Sequence, residues 1–157
     1  MPKQSAGLMM YRRVHGTTEI FLVHPGGPFW AKKDQGAWTI PKGEYEEGEN
    51  PLSAAQREFE EETGFQATGE FFELGSVKQK SGKTIIAWAF EGNCDPEQLT
   101  SNTCEIEWPP RSGRRIVIPE VDRGRWFGLE EARQSIRAEQ QPLLAKLQLL
   151  LEKEPQA

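Results

Sequence analysis

The stretch Gly43-Glu44-Tyr45-Glu46-Glu47-Gly48-Glu49-Asn50, continuing from Pro51 to Arg57-Glu58-Phe59-Glu60-Glu61-Glu62-Thr63-Gly64-Phe65, decides how this chain is read. Its second half carries the signals of a helix over Pro51–Thr63. Asn50 suits an N-cap, Pro51 the first helical position, and Gly64 the left-handed conformation just past the end. Leu52, Ala55 and Phe59 recur at helical spacing and should face the core, which leaves Glu58, Glu61 and Glu62 on another face, looking at water or at ions. Between residues 43 and 65 stand eight Glu and one Arg, a net charge of −7. Carboxylates three and four positions apart on a helix repel one another, so a cation is expected to offset them. Clustered hard oxygen donors suit Mg²⁺, with Mn²⁺ as the alternative, and such ions commonly bridge a protein carboxylate to substrate phosphates. The expected partner is a phosphorylated small molecule.

Working outward, the rest of the chain is electrically quiet. The whole sequence of 157 residues carries −5, so everything outside the acidic stretch sums to +2. An acidic balance argues against a DNA-binding role. The length and a hydrophobic content of 36% suit one domain over residues 1–157, with short tails at 1–5 and 153–157. Cys94 and Cys104 have neither metal-ligand spacing nor a secretory context and are expected to be ordinary reduced thiols. The apolar patch at Leu8-Met9-Met10 is cut short by Arg12 and Arg13, so no membrane association is expected and a cytoplasmic location is.

Strand-like runs precede the acidic stretch at 6–14 and 19–24, joined by a hairpin loop at 15–18, in which His15 is expected to be exposed. A Pro- and Gly-rich loop follows at 24–30, then a short strand at 38–40 stopped by Pro41. Beyond the helix, residues 70–79 and 83–90 form a second hairpin around Lys80-Ser81-Gly82, with Ile86, Trp88 and Phe90 sharing a core face. Residues 94–113 are mostly loop with a short strand at 105–108. A last strand at 125–127, a helix at 129–139 and a helix at 143–152 with a leucine stripe complete one α/β layered domain.

The acidic stretch resembles the Nudix box, G-x5-E-x7-R-E-U-x-E-E-x-G-U with U a bulky apolar residue. Gly43, Glu49, Arg57, Glu58, Phe59, Glu61, Glu62, Gly64 and Phe65 fill every defined position. The resemblance implies a Nudix α/β/α sandwich, a mixed sheet between helices, with the box as a loop–helix–loop. It also implies a Mg²⁺-dependent pyrophosphohydrolase acting on a nucleoside diphosphate-linked compound, such as a dinucleoside polyphosphate or a nucleoside triphosphate. Alternatives within the family are a diphosphoinositol polyphosphate hydrolase and a non-catalytic nucleotide-binding or regulatory domain. On that pattern Glu58, Glu61 and Glu62 hold metal, helped by a backbone carbonyl at Lys42 or Gly43. The general base is Glu61 or Glu62, and Glu120 after them. Arg57 orients the box carboxylates, and Glu49 ties the loop to the helix. The Pro41-Lys42-Gly43-Glu44 lead-in resembles members that act on dinucleoside polyphosphates or diphosphoinositol compounds.

Residues outside the box bear on substrate. Two basic groups, Lys78, Lys80 and Lys83, and Arg111, Arg114 and Arg115, suit extra phosphates, and Lys42, Lys80 and Arg115 are taken as substrate-binding. Trp30 is a further substrate-binding candidate. With His24 and the Pro-Gly loop it is either a wall for a base or ribose or a packing anchor.

Overall fold

The structure is a computed structural model and describes residues 4–153. Two long strands open it, β1 (Gln4–Val14) and β2 (Thr17–Pro25), folded back antiparallel. Their turn is only His15-Gly16, both at positive φ, a geometry that matches strand twist, so Thr17 and Thr18 join the ladder instead of the expected loop. There follow β3 (Lys42–Tyr45), helix α1 (Pro51–Thr63), β4 (Phe72–Lys78) and β5 (Thr84–Glu91). After a 3₁₀ turn at Pro96–Gln98 come β6 (Thr103–Glu107), β7 (Arg115–Pro119), β8 (Val121–Gly128) and helix α2 (Leu129–Ser135). A second 3₁₀ turn, Ala138–Gln140, leads into helix α3 (Gln141–Glu152).

The main sheet runs β4-β5-β1-β2-β8, with β1 and β5 parallel and the other pairs antiparallel. The upstream edge of β1 is divided: Gln4–Gly7 pair with β3, while Tyr11–Val14 pair with β2. Alternation along β1 feeds two cores. Ala6, Leu8 and Met10 pack with Phe21, Val23 and Phe59 on the α1 face, while Met9 and Tyr11 pack with Trp38, Phe127, Ile136 and Leu143 on the α2 and α3 face. The expected sandwich, a mixed sheet between helices, is the observed fold. Trp88 and Ile86 join Phe90 on the α1 face as expected.

Several boundaries differ from the sequence reading. Gln4 and Ser5 are not tail but the first residues of β1, paired with Tyr45 and Glu44. At the other end Lys153 directly follows α3, and residues 154–157 lie outside those described. β3 was not expected, because Lys42-Gly43-Glu44-Tyr45 has no apolar alternation; backbone pairing to β1 forms it. Residues 38–40 are not a full strand: Thr39 bridges Val23 and Trp38 bridges Ile136. The helix expected to reach 139 stops at Ser135, since buried Ile136 turns extended to make that bridge. α3 begins two residues earlier than expected, with Pro142 in its first turn. β6 starts at Thr103 and pairs with the unexpected β7 as a separate two-stranded sheet, and β8 extends well beyond 125–127.

Candidate active site

Helix α1 has the ends the sequence indicates. The Asn50 side chain accepts from the Ser53 N–H at 3.0 Å, and Gly64 caps the other end at φ 81°. Phe59, fully buried against Phe90, anchors the apolar face. The acidic face, expected to look at water or at ions, is largely closed. Glu58 and Glu62 are each only 8% exposed, and Glu61 alone stands in solvent. They turn inward because β3 offers them backbone to lie against. Glu62 Oε1 accepts from the Lys42 N–H at 3.3 Å. The Glu58 carboxylate lies so close over Gly43 that an added Cβ would sit 2.1 Å from it.

Arg57 gathers the neighbouring carboxylates: its guanidinium donates to Glu58 at 2.8 Å, to Glu61 at 3.3 Å and to Glu49 at 3.2 Å. Glu49 also accepts from the Glu46 N–H, closing the loop between β3 and α1. Glu58 and Glu61 thus face Arg57 while Glu62 faces β3, and no three metal-binding side chains converge on one point among the described residues. The donor set nonetheless fits a hard divalent cation: three carboxylates and a strand carbonyl at Gly43, where only glycine leaves room for Glu58. Electrostatics point the same way. Burial, and then the charge of Glu61, raise the Glu58 pKa, and burial pushes Glu62 up to about 8. Both carboxylates would gain from a cation beside them.

A cavity of about 250 Å³ adjoins this cluster, lined by Glu62, Lys42, Glu120, Trp30, Arg137 and Cys104 among others. Burial lowers the Lys42 pKa, and the Arg137 charge lowers it further. Glu120, between β7 and β8, is brought here by main-chain bonds. Asn102 N–H donates to the Glu61 carbonyl at 2.8 Å, Glu120 N–H to Asn102 at 3.0 Å, and Gly26 N–H to Glu120 at 3.0 Å. The structure therefore brings Glu62, Lys42, Trp30 and Glu120 to one cavity.

Two substrate candidates stand apart from it. Lys80 is at the tip of the β4–β5 hairpin, where Lys83 pairs with Glu44 on β3. Arg115 is exposed on β7, 3.5 Å from Glu105. His24 is not a cavity wall: it is fully buried, with Nδ1 3.0 Å from Asp122 and Nε2 2.6 Å from the Lys33 carbonyl. It braces the loop that carries Trp30. Arg137 was missed, since it lies far along the sequence from the box and belongs to no motif. Both cysteines are free thiols.

The sequence model of the NUDIX domain matches residues 1–147. The chain belongs to the Nudix family. It is similar to the asymmetrical bis(5'-nucleosyl)-tetraphosphatase of Rattus norvegicus, 32% identical over 151 residues that cover 89% of this chain and 88% of that protein. It is also similar to the RNA pyrophosphohydrolase of Bartonella clarridgeiae, 30% identical over 109 residues, 60% of this chain and 58% of that one. A crystal structure of a C. elegans Ap4A hydrolase binary complex superposes with a TM-score of 0.67 at 24% identity, covering 97% of this chain and 99% of that one. The NUDIX domain of Shewanella oneidensis NrtR, complexed with ADP ribose, gives 0.67 at 14% identity, covering 96% and 89%. At those identities the structures speak to the fold. Nudix hydrolases generally need a divalent metal such as Mg²⁺. No helix among the described residues is long and apolar enough to cross a membrane.

Proposed function

We propose that this Nudix chain is a pyrophosphohydrolase whose substrates are dinucleoside polyphosphates, with Mg²⁺ as its cofactor. One observation carries the reading: a complete Nudix box whose Glu58 and Glu62 fold back onto β3, beside a cavity that also holds Lys42 and Glu120. The choice of substrate class is supported by similarity over most of the chain to a bis(5'-nucleosyl)-tetraphosphatase. Glu58, Glu61, Glu62 and the Gly43 carbonyl would hold the metal, which when bound neutralises phosphate oxygens and lowers the pKa of a water. Arg57 keeps Glu58 and Glu61 aligned and Glu49 keeps Arg57 in place, so neither needs to touch substrate. Lys42 lines the cavity and would face a substrate phosphate. Glu61 or Glu62, and after them Glu120, would accept a proton from the attacking water; Glu62 and Glu120 line the cavity.

The test is Mg²⁺-dependent hydrolysis of a panel of dinucleoside polyphosphates, nucleoside triphosphates, nucleotide sugars and diphosphoinositol phosphates, with products identified. Diadenosine tetraphosphate is expected to be the preferred member. Glu61→Gln and Glu62→Gln are expected to cut turnover by at least about a hundredfold, as loss of a metal ligand or base does. Glu120→Gln is expected to lower the rate and shift its pH profile. Wild-type turnover in both box variants would overturn the assignment, and preference for nucleotide sugars would overturn the substrate class.

A further inference from the structure

The cavity is lined by two carboxylates, Glu62 and Glu120, and by two cationic side chains, Lys42 and Arg137. The Arg137 main chain is fixed by its N–H donating to the Trp38 carbonyl at 2.8 Å, directly after Trp38 N–H donates to Ser135 at 3.0 Å. Trp38 also holds the Trp30 loop, its indole N–H donating to Asp34 at 2.7 Å. One residue thus sets the positions of both Trp30 and Arg137. Their side chains meet in the cavity lining, with the guanidinium carbon 5.1 Å from the Trp30 ring centroid, within cation–π range.

The guanidinium is only partly committed. Its Nε donates to Glu139 at 3.1 Å, and among the described residues its two Nη groups have no acceptor. Two parallel N–H donors of a half-buried arginine, backed by an aromatic plate and facing a cavity, match the paired oxygens of a phosphate. Of the three basic candidates legible in the sequence, Lys42 lines this cavity and Lys80 and Arg115 do not, whereas Arg137 joins Lys42 there.

We propose that Arg137, held against Trp30, binds a phosphate beyond those carried at the carboxylate cluster and so selects chains of at least three phosphates. The inference rests on the hydrolase reading above and adds a specificity residue to it. A merely structural Arg137 would prop Trp30 and Glu139 and treat all ligands alike. A phosphate ligand distinguishes them by chain length.

The experiment is calorimetric titration, with Mg²⁺ present, of two non-hydrolysable probes. One is a triphosphate with both bridging oxygens replaced by methylene groups, and the other is methylene bisphosphonate. For Arg137→Gln, shown folded by circular dichroism, the three-phosphorus probe is expected to bind about ten- to a hundredfold more weakly, the range for a lost charged hydrogen bond. The two-phosphorus probe should change by less than about threefold, and Arg137→Lys should recover part of the loss. Equal weakening of both probes, no weakening of either, or failure of the unaltered protein to bind the longer probe would each overturn the proposal. Kinetics on diadenosine tetraphosphate separate the two readings. Arg137-dependent binding without any turnover would overturn the hydrolase reading and leave the phosphate site standing. Normal turnover with an unchanged KM in Arg137→Gln would do the reverse.

Discussion

Gly43→Ala isolates the geometry of the carboxylate cluster from the stability of the fold. The new Cβ would sit 2.1 Å from Glu58 Cδ and Oε2, where ordinary contacts begin near 3.4 Å. The carboxylate must therefore retreat by roughly 1.3 Å, and its 2.8 Å bond from Arg57 must rearrange. Gly43 lies outside the left-handed region, so alanine introduces no backbone strain. The clash falls on the movable end of a side chain, so the stability cost is expected to be about 1 kcal/mol or less, a fall in Tm of about 2–4 °C for a chain of this size. The activity cost is much larger. A misplacement of about 1 Å in a positioned group costs about a hundredfold in rate, and that is the expected loss in kcat. Calorimetric melting and Mg²⁺-dependent turnover of diadenosine tetraphosphate, measured on the same preparation, give the two numbers. Turnover within about threefold of the unaltered protein would refute the claim that Glu58 must occupy the space over Gly43.

Two further outcomes follow from the same helix. Burial raises the Glu62 pKa to about 8, so the folded, metal-free protein holds a proton there at pH values where the unfolded chain, near 4.5, has released it. Stability of the metal-free protein should therefore decline as pH rises from about 4.5 towards 8, and Glu62→Gln should flatten that slope in urea melts; an unchanged slope would assign it to another group. Asn50→Ala removes the cap on Ser53 and is expected to cost about 1 kcal/mol in those melts while leaving KM unchanged.

Helix α1 was legible to the residue because both of its ends are written in local chemistry, Asn50-Pro51 at one and Gly64 at the other. The orientation of its acidic residues was not. The carboxylates read as facing water or ions, and the burial of Glu58 and Glu62 depends on β3, a strand that exists only because β1 has an unpaired edge for it. β6 was legible in part, as a short strand at 105–108, while β7 was obscured by the Pro109-Pro110 and Ser112-Gly113 turn before it, and the alternation of both shows on one face only. Glu120 was identifiable through family resemblance, but its nearness to the helix is made by main-chain bonds that leave no mark in side-chain pattern. Arg137 had no local signal at all. Its place comes from a single bridge between Trp38 and Ile136, nearly a hundred residues apart.

The bond from Glu120 N–H to the Asn102 carbonyl also closes off the β6–β7 hairpin at its base. Everything between those two residues is an arm hung from a clasp, and of its pairs Cys104 and Ile118, near the base, reach the cavity. Glu120 is consequently insulated from the length and composition of the arm. The hairpin tip, with Arg111, Arg114 and Arg115, is an exchangeable module: it can be lengthened, trimmed or grafted to alter what the protein meets at its surface, while the candidate catalytic carboxylates keep their spacing.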